Sequence, residues 1–358
     1  AAWLDAHPDV RAYARFRAER DGSGATGVAV HEYAQWMLAE QLGELARTME
    51  DRGQTLYVDL PVGTHRKGYD VAAHPDLFVA GASVGAPPDA FQADGQDWGF
   101  PPIDPVAERA DGYAYLGACL DEQLQYARRL RIDHVMGLDR LWMIPPGATA
   151  PDGAYVHYEG DEHWAIVCLA AHRHHASIVG ENLGTVPPAT DRAIRRHRAL
   201  GMWVIQFEIP DEIPDAVDDT EQVVQRAGRG SLACLDTHDL TTFATWWREL
   251  EPERRRSLLT TLRGSGDLDL DRLRNGTEPE VDDVLVATLA WLGSGRSPLV
   301  LASLEDLWLE PDPQNVPGTA DPGATFRQRA AYGLDELDDV ASVKNTLDAL
   351  DRARRTTV

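Results

Sequence analysis

Six short runs rich in β-branched and aromatic residues constrain this chain more than any other feature. They are TLYVDLP (55–61), LRIDHV (130–135), SIVGEN (177–182), MWVIQFEI (202–209), SLACLDT (231–237) and PLVLASLED (298–306), with helix-compatible stretches such as DEHWAIVCLAAHRHHA (161–176) and PATDRAIRRHRAL (188–200) between them. Strand, crossover helix, strand is the pattern of a parallel sheet. Ahead of them, HEYAQWMLAEQLGELARTMEDRG (31–53) sets Tyr33, Trp36, Met37, Leu42, Leu45 and Met49 along one helical stripe, with Gly53 as a stop.

Composition narrows the partners. With 358 residues, 43% hydrophobic and 26% charged, the chain is globular. No apolar run reaches the roughly 18 residues that span a bilayer, and no secretory signal opens the sequence. The net charge of −24, from 34 basic against 58 acidic residues, argues against nucleic acid and anionic membrane as partners. Cys119, Cys168 and Cys234 are an odd number without CxxC spacing, which suits buried free thiols and a cytoplasmic setting.

Polar residues inside the apolar runs carry the chemistry. Asp59, Asp133, Glu181 and Asp239 all fall at or just past the C-terminal end of an expected strand. In a β/α barrel that is where catalytic side chains converge. A doubly wound nucleotide fold is disfavoured, because no GxGxxG or GxxxxGK[ST] loop follows an early strand. Several carboxylates and an arginine suit a retaining attack on a glycosidic bond, in which one carboxylate attacks the anomeric carbon and a protonated one donates to the leaving oxygen. Arg131, on the same strand face as Asp133, is expected to hold that aspartate ionised. Glu181, between IVG and NLG, is the better proton donor, because an apolar setting raises its pKa. His172, His174 and His175 point in different directions on a helix, and HEYAQ lacks the second histidine of a zinc HExxH. No metal site is expected.

DLPVG (59–63), GASVGAPPDAFQADGQDWGFPP (81–102), LRIDHVMGLDRLWMIP (130–145), VGENLGTVP (179–187), GMWVIQFE (201–208), THDLTT (237–242) and NVPGT (315–319) resemble, in order, the motifs of the 4-alpha-glucanotransferase family, also called amylomaltase or disproportionating enzyme. The resemblance runs to about residue 320. It implies an α/β fold, the (β/α)8 TIM-type barrel of the alpha-amylase clan, which transfers α-1,4-glucan segments between maltooligosaccharides without a metal or organic cofactor. It further implies Asp133 as nucleophile, Glu181 as general acid/base and Asp239 as transition-state stabiliser. Arg131 and His134 flank the nucleophile, His238 grips the sugar with Asp239, and Asp59 lies near the same sugar. The loop 83–102 is implied to bind glucan through Asp89, Phe91, Gln96 and Trp98, and its glycines and prolines are expected to keep it out of regular structure.

Three departures stand beside the match. Asn182 replaces the acid that usually follows the catalytic glutamate, and after NVPGT only Phe326 and Arg327 of GATFRQR (323–329) remain of the usual stretch. A closed barrel needs eight strands and six are legible, so an incomplete barrel lacking its first strands is expected, with an exposed edge beside the strand of Asp59. The expected organisation is one catalytic domain over 1–358, with a helical segment 1–54, barrel strands within 55–310, and a C-terminal loop and helix over 311–358. An amylase-type hydrolase and an inactive glucan-binding fragment are the alternative readings.

Overall fold

The computed structural model describes residues 2–89, 92–211, 223–263, 279–317 and 325–357. Ten strands are seen among them: β1 (Leu56–Leu60), β2 (Ser83–Ala86), β3 (Gln96–Asp97), β4 (Ala127–Ile132), β5 (Arg140–Ile144), β6 (Ala154–His157), β7 (Ser177–Gly180), β8 (Leu200–Val204), β9 (Ser231–Cys234) and β10 (Leu299–Leu301). By contacts the chain divides into two compact units, Ala1–Ala199 and Leu200–Val358. Each holds three parallel strands: β1, β4 and β7 in the first, and β8, β9 and β10 in the second. Each unit thus carries the alternation of parallel strand and crossover helix that belongs to a TIM-type barrel fold.

In the first unit, the crossover helix Gly160–Arg173 carries Asp161 and Glu162 in its first turn and Arg173 in its last, matching the helix dipole. Trp164, Val167 and Ala170 recur at helical spacing and are buried. They share a core with Leu120 and Leu124 of the helix Ala114–Leu124, Leu130 and Ile132 of β4, and Ile178 of β7. In β1 Asp59 is exposed and the other residues are half-buried, and β1 pairs with β4 alone among the described residues. β1 is therefore an edge strand of its sheet among the described residues, with its apolar side chains half-buried.

Four expectations change. LRIDHVMGLDRLWMIP reads as one apolar run, yet β4 ends at Ile132, a 3₁₀ turn covers Val135–Leu138, and β5 joins a different sheet. That sheet is antiparallel, in the order β3, β2, β5, β6, and it takes in both ends of the segment 83–102. Regular structure there was unexpected, because short cross-strand pairing depends on β5, a partner more than forty residues away in sequence. Next, MWVIQFEI does not continue as strand: β8 ends at Val204 and a short helix covers Ile205–Glu208, burying the adjacent pair Ile205 and Gln206 as a strand facing one core would not. Finally, the apolar stripe does form a helix, Gly24–Asp51, but Gly27 is its one buried residue, and Tyr33, Trp36 and Leu45 are exposed. Periodicity sets the helix but supplies no partner for its face.

The second unit has its core around the helix Val281–Gly293, where Val284, Leu285, Ala287, Leu289, Trp291 and Leu292 are all buried, with Phe243, Leu258 and Leu262 against them. Its helix Ala341–Thr357 contributes Val343 to the same core. No helix among the described residues is long and apolar enough to cross a membrane. All three cysteines are free, with Cys234 buried and Cys119 and Cys168 half-buried.

Candidate active site

In the first unit, register assembles the charged cluster. Asp59 of β1 lies directly beside Arg131 of β4, and Asp133 follows Arg131 by two residues, so all three project to one face. Arg131 Nη1 donates to both carboxylate oxygens of Asp59 at 2.8 Å, and its Nη2 lies 2.8 Å from Asp133 Oδ1. The arginine side chain is only 9% exposed, against 27% for Asp133 and 43% for Asp59. Burial alone would lower the guanidinium, but Asp133, Asp59 and Glu181 together hold it above its ordinary value. Asp133 Oδ2 accepts the Val62 backbone N–H at 3.3 Å, which leaves a carboxylate fixed from two sides on the third residue after that arginine's neighbour Leu130.

Glu181 enters one residue beyond β7. The backbone carries the parallel ladder onward, with Glu181 N–H donating to Ile132 O and Val135 N–H to Glu181 O. Its side chain accepts the His134 N–H at 2.7 Å and the Leu183 N–H at 3.2 Å. Burial pushes Glu181 up to about 7; Arg131 and the two amides oppose this, and the charge of Asp133 adds to it. The carboxyl is thus poised between acid and base near neutral pH. The Asn182 amide donates to Asp191 at 3.2 Å.

His134 links the two acids. It adopts a left-handed backbone, φ 45°, uncommon for a residue with a Cβ, and this turn is what aims its N–H at Glu181. Burial lowers its imidazole to about 4, so the ring is neutral at pH 7. Trp98 stands edge-on to it at 5.3 Å between centroids, and the Trp98 indole N–H donates to Gln96 Oε1 at 3.1 Å. Trp98 of the expected sugar loop therefore stands beside His134, and Gln96 is bonded to Trp98. Asp89 sits in a turn, its carboxylate accepting the Gln92 N–H at 2.7 Å. Phe91 lies outside the described residues.

A 910 Å³ cavity in this unit is lined in part by Asp133, His134, Val62, Gly63, Tyr158 and His163. Of the charged cluster, Asp133 opens into it, together with the neighbouring His134.

His238 and Asp239 belong to the second unit, on the segment after β9. Their side chains are 42% and 44% exposed, with His238 Nε2 3.3 Å from Asp239 Oδ2. Asn315 donates its amide to Asp239 Oδ1 at 2.6 Å, and Phe326 lies against His238 at 5.9 Å between ring centroids. Asn315 is the residue that motif reading passed over. It is the first residue of NVPGT, so the signal was present, but its partner is seventy-six positions away. The Val62 and Leu183 amides were missed too, because backbone donors leave no mark in a sequence.

Residues 2–332 match the glycosyl hydrolase family described as 4-alpha-glucanotransferase. A 4-alpha-glucanotransferase of Mycobacterium tuberculosis is 34% identical over 339 residues, covering 90% of this chain and 46% of that protein. The Haemophilus influenzae 4-alpha-glucanotransferase is 39% identical over 224 residues, 61% of this chain and 31% of its own length. The chain therefore spans less than half the length of these curated relatives. In structure, an amylomaltase from Corynebacterium glutamicum matches with a TM-score of 0.81 at 23% identity, over 96% of this chain and 54% of that one. An amylomaltase from Streptococcus agalactiae solved in complex with acarbose also gives 0.81, at 22% identity, over 99% and 73%.

Proposed function

Because the chain belongs to the 4-alpha-glucanotransferase family of glycosyl hydrolases, we propose that it transfers α-1,4-glucan segments between maltooligosaccharides by a retaining double displacement. The observation that carries this reading is the coupling of two unlike carboxyls. Asp133 is clamped by Arg131, and the amide of the next residue holds Glu181, which burial has raised to about 7.

The first step uses both. Asp133 attacks the anomeric carbon, and Glu181 gives its proton to the departing glycosidic oxygen, so that a glucosyl ester and a shortened glucan result. Glu181, now ionised, is held by the His134 and Leu183 amides and faces Arg131. In the second step it takes the proton of an acceptor sugar hydroxyl, which attacks the ester and frees Asp133. Asp59 keeps the Arg131 guanidinium in place through both steps. His238 and Asp239, the latter oriented by Asn315, are assigned to the sugar hydroxyls and to charge building on the ring. Trp98 and Gln96, with Asp89 and Phe91, are assigned to the glucan path. Trp98 offers the apolar plate that sugar C–H faces need.

The family match favours transfer over the amylase-type hydrolysis and over an inactive binding fragment. We assign the chain to the cytoplasm, a reading supported by its three free cysteines, which suit a reducing compartment. Incubation with maltotriose separates the readings. Glucose together with products longer than maltotriose supports transfer. Glucose and maltose alone mean hydrolysis, and binding without products means an inactive fragment.

A further inference from the structure

Two buried carboxyls in the second unit have no role in the chemistry described above. Asp236 follows β9 by two residues and is 4% exposed; Asp306, on the turn Glu305–Trp308 after β10, is 0% exposed. Each carboxyl acts on the other, and Asp306, whose hold on a proton is raised, is placed to donate it to Asp236. Ser303 Oγ donates to Asp236 Oδ1 at 2.5 Å, and the backbone N–H of Phe243 donates to Asp306 Oδ1 at 2.8 Å. Asp306 Oδ2 is buried with no donor assigned to it among the described residues. Neither aspartate forms an ion pair with a Lys, Arg or His among those residues.

Two carboxylates can hydrogen-bond only if one carries a proton. The positions they connect give that proton a use. Asp236 precedes Thr237–Thr242, and Phe243 follows it. Asp306 thus grips both ends of the six-residue segment that presents His238 and Asp239.

We propose that Asp306 and Asp236 share one proton and act as positioning residues that hold the segment bearing His238 and Asp239. This rests on the transferase reading above for its catalytic meaning, although the clamp itself does not. Proton sharing leaves the pair with a single negative charge, met by the Ser303 hydroxyl and the Phe243 amide. Loss of the proton to solvent hydroxide breaks the carboxyl–carboxylate bond and sets two like charges face to face.

The surrounding charges agree with retention of the proton. Burial first, and then the charge of Asp236, raise Asp306 to about 9; burial also raises Asp236, and the proton belongs to the pair. Glu305, on the same turn, adds negative potential to both. Farther along the clamped segment, His238 is turned to Asp239. The helix Phe243–Glu249 faces the pair with its first amide.

Asp306→Asn should preserve the clamp, because its amide oxygen still accepts from Phe243 and its NH2 replaces the shared proton toward Asp236. Asp306→Ala should not. The test is amide hydrogen exchange of residues 237–242, read beside maltotriose transfer, in the wild type, both variants and Asp236→Asn. At pH 7, Asp306→Ala is expected to speed exchange in that segment and to lower kcat by about 100-fold, since misplacing a catalytic group by about 1 Å costs on that order. Asp306→Asn and Asp236→Asn are expected to stay within about threefold on both measures. Above pH 9 the wild-type segment should exchange faster than that of Asp306→Asn once intrinsic rates are divided out.

If Asp306→Ala leaves exchange unchanged, or Asp306→Asn is as damaging as Asp306→Ala, the proposal is overturned. If Asp306→Ala does not fold, the comparison of Asp306→Asn with wild type across pH 9 decides alone. A wild type that makes no transfer products overturns the proposed function instead, and the exchange data still decide the clamp.

Discussion

Replacing Glu181 by Gln should remove transfer from ordinary glucans and, separately, change how stability depends on pH. In the folded chain the Glu181 carboxyl is raised from 4.5 to about 7, chiefly by burial. The folded state therefore holds this proton more tightly than the unfolded chain does. Below pH 4.5 both states are protonated and nothing is lost; between 4.5 and 7 stability falls as pH rises, and above 7 the loss is complete. At about 1.4 kcal/mol per pH unit, that interval amounts to about 3 kcal/mol. Gln does not titrate and escapes this penalty. It incurs another, because the His134 and Leu183 N–H groups bond different carboxylate oxygens, and in Gln one of those positions is an NH2 that cannot accept. An unsatisfied donor there costs about 1–3 kcal/mol at every pH. The variant should thus be less stable than wild type at pH 4.5 and equal or more stable at pH 8.5, a swing of about 3 kcal/mol, read from urea unfolding at four or more pH values. A stability difference that is flat with pH would refute a buried, proton-holding Glu181. In the same variant, glycosyl fluoride donors should retain part of the cleavage rate that maltotriose loses, since fluoride leaves without a proton.

Asp133→Asn should lower maltotriose transfer by roughly a thousandfold or more while leaving glucan binding and the unfolding midpoint nearly unchanged, because the amide keeps the shape but cannot form the ester; calorimetry and product analysis check this. Asn315→Ala removes the donor on exposed Asp239 and should cost about tenfold in kcat/KM, with solvent replacing part of the bond. Leu285→Ala, in the fully buried core of the second unit, should cost about 2–5 kcal/mol in urea unfolding. Trp36→Ser, on the exposed helical face, should cost less than about 0.5 kcal/mol and reduce binding of an apolar dye.

The candidate site was legible to an unusual depth because its members lie in short, dense segments. Arg131 and Asp133 share a strand, and period-two alternation alone puts them on one face. Glu181 one residue past β7 follows from where the apolar run of SIVG stops. Even its proton affinity was foreseeable, since IVG and NLG supply no nearby charge. Other parts were not. The segment 83–102 looked irregular because its glycines and prolines dominate locally, whereas β2 takes its pairing from β5, whose partner residues are far off in the chain. The stripe of 31–53 does form a helix, Gly24–Asp51, but amphipathic spacing says which face is apolar and not whether anything lies against it, and Tyr33, Trp36 and Leu45 are exposed.

What the sequence determined by itself, then, was the order of the six parallel strands, the family, and the acids at their ends, all of which depend on periodicity and chemistry within a few residues. Only the tertiary structure decided that Arg131 is shared between Asp59 and Asp133, that a strained His134 hands its amide to Glu181, that Asn315 turns Asp239, and that Asp306 meets Asp236. Each of these couples groups through a bond of about 3 Å that closes a loop of chain or depends on one backbone angle. A sequence records which groups are available to such bonds; packing selects the partner, because only in the folded chain does burial make an unpaired charge or amide too costly to leave alone.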